Sequence, residues 1–207
     1  MKTANRSSQI FALLVAASTG EAATFQENFS GNPATNGWRV AGDTSLFHWN
    51  ATQNNLQVTW DSSRSNSFFH HPLGTVLAKS DDFSLGFDLR LSDAAIGVNP
   101  SKPYTFELAV GFINLAEATG TNFFRGTRLG TRNVVEFDYF PAFLSFGATV
   151  ALTAVSSNSL FAYSHNFPVE LTLDDLFRVS MRYTASRLLL ETAVSATVAP
   201  KLRNAGK

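Results

Sequence analysis

The chain has 207 residues, 44% of them hydrophobic and only 15% charged, which suits one β-rich domain with a sizeable core. Its 16 basic and 16 acidic residues cancel, which removes the attraction behind non-specific nucleic-acid binding, so no nucleic-acid partner is expected. There is no cysteine, excluding disulfides and thiolate metal sites, and the 19 phenylalanines favour pleated, half-buried surfaces.

The first 22 residues read as a signal peptide. Lys2 and Arg6 precede an apolar run from Ile10 to Ala17 that is too short to span a bilayer. Gly20-Glu21-Ala22 then offers small residues where a signal peptidase inspects them, so cleavage is expected after Ala22. The mature chain is expected to be secreted, or placed at the cell surface or in the periplasm. It has no second apolar run long enough for a transmembrane helix.

From Thr24 the pattern is short strands between turn residues. Strands are expected at 25–29, 38–40, 46–49 and 56–60, bounded by Gly, Asn, Asp and Ser. Residues 82–91 alternate most clearly: Phe83, Leu85, Phe87, Leu89 and Leu91 fall on one face, with Ser84, Gly86, Asp88 and Arg90 on the other. After a turn-rich linker at 92–103, residues 104–114 alternate again, with Glu107 opposite the apolar face. A short helical turn is expected near 114–118, within a loop reaching to 132. Further strands are expected at 134–141, 146–155, 160–164, 169–173, 176–184 and 187–195, the last two joined as a hairpin over Ala185-Ser186. The three tryptophans fall in register with apolar neighbours and are expected in the core. One-sided alternation in a dozen short strands predicts an all-β antiparallel two-sheet sandwich over residues 23–195. Strands of outer-membrane barrels run about 9–11 residues, longer than several of these. The alternation stops after Ser195, so 196–207 are expected to form an irregular tail, with the end of the chain truncated or divergent.

Within 134–141 two carboxylates stand two residues apart, in Val134-Val135-Glu136-Phe137-Asp138-Tyr139-Phe140-Pro141. On a strand Glu136 and Asp138 share one face. Acids are depleted from strand centres and costly when buried unpaired, so that face is expected to be solvated or used.

The opening Glu27-Asn28-Phe29-Ser30, the Gly37-Trp38 turn, this acidic strand and the late hairpin together resemble the concanavalin A-like lectin/glucanase fold, a jelly-roll sandwich. The chain also looks like secreted bacterial jelly-roll proteins of unsettled activity. The resemblance implies a concave sheet face that binds or cleaves glycans. In its legume-type lectins, a loop after such a strand supplies Asn, Asp and His, which with the strand's acids hold calcium and a transition metal. Here no Asp or Glu occurs between Asp138 and Glu170, and calcium needs several carboxylates, so no metal or other cofactor is expected. In its glucanases the motif is Glu-x-Asp-x-Glu, with an optional extra residue before the last Glu. Glu136 and Asp138 match the first two positions, and Phe140 or Pro141 takes the third, where the acid/base belongs.

A non-catalytic secreted module is therefore expected, binding glycan or another extracellular ligand through Glu136, Asp138 and Glu107 on the concave face. Phe123, Phe124 and Arg125 are candidates for a rim where rings stack and a guanidinium meets hydroxyls. The alternatives are a divergent glycoside hydrolase using Glu136, and a structural or adhesive surface domain in which the two acids pair with Arg178 or Arg182. Neither His70-His71 nor the serine cluster at 62–67 has the spacing of a metal or nucleophile site. The residues name neither the ligand nor the oligomeric state.

Overall fold

A computed structural model describes residues 24–61, 64–94, 108–120, 132–141, 147–157 and 162–197, of which 162–166 are described as backbone only. The fold is all-β apart from single helical turns, and every strand pairing among the described residues is antiparallel.

Two small ribbons come first. Strand β1 (Arg39–Ala41) pairs with β4 (Phe68–His70), and β2 (Phe47–Asn50) pairs with β3 (Asn55–Val58). A three-stranded sheet follows in the order β11 (Leu189–Ala196), β10 (Leu176–Thr184), β5 (Phe83–Arg90). The largest sheet runs β6 (Leu108–Ile113), β7 (Val134–Phe140), β8 (Thr149–Val155), β9 (Ala162–Pro168). Residues 25–29 are not in a strand; they cross the ribbons instead. The short α1 (Leu115–Ala118) begins where Asn114 accepts a hydrogen bond from Glu117 N, so the expected helical turn is present.

The two larger sheets pack face to face. Leu89, Phe177 and Val179 on one meet Leu108, Phe137, Tyr139 and Val150 on the other, with Leu91 and Leu171 at the margin. Phe87 stands edge-on to Phe137 at 5.7 Å between ring centres, and Phe83 meets Phe112 the same way at 5.4 Å. Trp60 packs against this core. Leu171 N donates to the buried Tyr139 hydroxyl at 3.1 Å, tying the chain after β9 into the interior. Burial pushes the Tyr139 phenol above its usual range; the Leu171 N–H partly offsets this, and Glu170 adds to the rise.

Trp38 and Trp49 are not part of that core. Both belong to the ribbons, where Trp38 stacks on Phe69 at 4.6 Å and 11° between planes, while Phe69 adjoins Phe47 at 5.8 Å. Sequence alternation does not distinguish a second aromatic cluster from the main one.

Candidate functional site

Strand β7 is a central strand, hydrogen-bonded to β6 on one side and β8 on the other. Its odd-numbered residues Phe137 and Tyr139 enter the core, so alternation turns Val134, Glu136 and Asp138 to the opposite face. Across the sheet Glu136 stands beside Gly111 and Thr153, and Asp138 beside Ala109 and Ala151.

This second face is itself buried along β7 and β8. Asp138 is 1% exposed and Glu136 6%, with Val134, Thr149, Ala151, Thr153 and Val155 all below 5%. The acid face is thus not a bare solvated surface. Thr153 Oγ1 donates to Asp138 Oδ2 at 2.6 Å, a short hydrogen bond. Neither Glu136 nor Asp138 is without a partner. Arg178 lies on the other sheet, where it forms a two-pronged pair with Asp88, its Nη2 2.9 Å from Asp88 Oδ2. Arg182 stands opposite Glu191 on β11 and Ser84 on β5.

Gly111, directly across from Glu136, is exposed, and a Cβ there would lie 2.2 Å from Val135 O and 2.7 Å from Glu136 Cβ. Only glycine fits that approach, because the β6 and β7 backbones come so close there. Of the candidates read from the sequence, the structure puts Glu136 and Asp138 on one face. Glu107, Phe123, Phe124 and Arg125 lie outside the described residues, as do residues 1–23. Among the described residues no three His, Asp or Glu side chains converge on one point.

Sequence reasoning missed a second constellation, in the ribbons. Glu27 accepts from Phe29 N at 2.7 Å, Trp38 Nε1 at 3.1 Å and Asn36 Nδ2 at 3.2 Å. Burial alone would raise this carboxyl, but the hydrogen bonds outweigh it and hold it below the usual glutamate range. Trp49 Nε1 donates to Phe29 O at 2.9 Å, and the Nε2 of His71 lies 3.0 Å from Asn36 O. His71 packs on Phe25 and Trp38, so it is an aromatic wedge at the ribbon's end. The available signal was Glu27 itself, an acid between Phe25 and Phe29.

No family model matches the chain, and no curated protein gives a significant match to it.

Proposed function

We propose that this protein is an extracellular, non-catalytic module of the concanavalin A-like jelly-roll type. It takes a glycan or another extracellular ligand on the sheet face that carries Glu136 and Asp138. The carrying observation is the pair of acids on one face of β7, with the exposed backbone of Gly111 directly across from Glu136. A hydroxyl-rich ligand suits acids beside an exposed strand, because carboxylates and carbonyls accept hydrogen bonds. The described neighbours favour the non-catalytic part. Retaining hydrolysis needs two carboxyl groups about 5–5.5 Å apart across the scissile bond. Next to Asp138 on this face stands Phe140, and Asp138 is engaged with Thr153 at 1% exposure.

The test is retention on cell-wall polysaccharides and glycan arrays, with Glu136→Gln as the comparison. Binding that falls in Glu136→Gln at unchanged Tm supports the reading. No binding above background removes it, and hydrolysis of β-glucans replaces it with the hydrolase alternative. The burial of Asp138 favours one second reading, a structural or adhesive domain in which the acids only order the sheet; that reading expects no small ligand.

A further inference from the structure

We infer that Asn36 is a site of spontaneous deamidation and that its conversion releases the N-terminal ribbons irreversibly. Asn36-Gly37 is the single Asn-Gly pair among the 207 residues, and both residues are exposed. Glycine is the follower this chemistry favours, since it puts no β-carbon beside its own attacking nitrogen. The Gly37 nitrogen, losing its proton to solvent, adds to the side-chain carbonyl carbon of Asn36. The Cγ–Nδ2 bond then breaks and ammonia leaves. Water opens the resulting cyclic imide at either carbonyl, giving aspartate or isoaspartate. No reagent beyond water is required.

In the closed turn both reacting groups are occupied. The Gly37 N–H donates to Pro33 O, and Asn36 Nδ2 donates to Glu27 Oε2 at 3.2 Å. Asn36 also ends the single helical turn Pro33–Asn36, which sets its backbone. The reaction therefore waits on local opening, and its rate scales with the fraction of open turns. Other asparagines in the ribbons are poorer candidates. Asn32 precedes Pro33, which has no N–H to lose, and Asn50 and Asn54 precede residues with a β-carbon, Ala51 and Asn55.

The product cannot close the turn again. Glu27 also accepts from Phe29 N and Trp38 Nε1, so it fastens residues 27–29 to the ribbons. Aspartate replaces a donating amide with a carboxylate that only accepts. Two acids then face each other where a hydrogen bond stood. Isoaspartate instead adds a carbon to the main chain. That displaces Asn36 O from His71 Nε2, its neighbour at 3.0 Å, and pulls on Trp38, which stacks on Phe69 two residues' reach away from the change. Either product acts on the same contacts, and none of these residues belongs to the sandwich core.

The full chain is held in mildly alkaline buffer, folded and in denaturing urea, while peptide mass mapping follows each asparagine. Asn36 is expected to convert ahead of Asn50 and Asn54 in both, and about tenfold faster in urea than in the folded protein. Asn36→Gln, whose longer side chain must close a larger ring, should keep its tryptophan emission over the time in which the parent protein loses it. Asn36→Asp reproduces one product directly and should lower the urea midpoint of the tryptophan signal. Adding Glu27→Gln removes one of the two facing charges and should restore most of that loss. Where Asn36→Asp alone does not fold, recovery of folding in the double variant is the same result. Conversion of Asn50 or Asn54 ahead of Asn36 overturns the proposal. Equal rates in the folded and unfolded chain, or a loss in Asn36→Asp that Glu27→Gln does not reduce, does so equally.

Discussion

Thr153 reaches diagonally across the β7–β8 pair to Asp138: its register partner is Glu136, yet its hydroxyl donates to Asp138 Oδ2 at 2.6 Å. Both side chains are nearly out of solvent, Thr153 at 3% and Asp138 at 1%. A carboxyl group in such surroundings depends on its hydrogen-bond partners. Thr153→Val keeps the β-branched shape and removes this one, so stability should fall by about 1–3 kcal/mol, the range for taking a partner from a buried polar group. Urea denaturation of the two proteins measures it. A change within error would show that Asp138 does not rely on Thr153.

The hairpin between β10 and β11 turns through Ala185–Arg187 and then Leu188, whose φ of 49° is left-handed. A β-carbon in that region costs about 1–2 kcal/mol, and Leu188 is 62% exposed, so little packing offsets it. Leu188→Gly should therefore raise the urea midpoint, with most of that strain relieved, and Leu188→Asn should give a smaller gain. A lowered midpoint in both would mean that the leucine packs usefully despite its exposure.

That hairpin also marks how far the chain's alternation can be read. Strand β10 coincides with the expected 176–184, because Phe177, Val179, Met181 and Tyr183 announce both its face and its length. The returning strand starts at Leu189 instead of 187, since a four-residue turn with a left-handed leucine carries no glycine or asparagine to signal it. The same limit explains the site. The shared face of Glu136 and Asp138 follows from a period of two, whereas the burial of that face depends on neighbours from distant segments. Residues 25–29 look like a strand for the same reason: alternation records which side is apolar, and here the apolar side meets Trp38 and His71.

Gly111 and Gly86 make a controlled pair, both mid-strand and neither with a left-handed backbone. A Cβ at Gly86 would come no closer than 3.8 Å to Val179 O, ordinary contact, so Gly86→Ala should stabilise by roughly 0.5–1 kcal/mol through lower unfolded-state entropy. At Gly111 the same atom meets backbone at 2.2 Å, and backbone cannot rotate aside. Gly111→Ala should cost about 1–3 kcal/mol or more by forcing β6 from β7. Opposite signs in thermal melts are the expected result. Equal effects would refute the close approach beside Glu136.

Glu27 gives the fold a pH dependence with a definite sign. Its carboxyl is held below the usual glutamate range by Phe29 N, Asn36 and Trp38, which together outweigh the opposing effect of burial. A group depressed on folding stabilises fully above its unfolded value, about 4.3, and loses that contribution as pH falls toward the folded value. The ribbons should therefore loosen in acid before the sandwich does, seen as a change in Trp38 and Trp49 emission below about pH 4.3 while the far-ultraviolet signal persists. Glu27→Gln still accepts from Trp38 but no longer titrates, so its emission should be flat across that window. An unchanged acid transition in Glu27→Gln would assign the effect to another carboxyl.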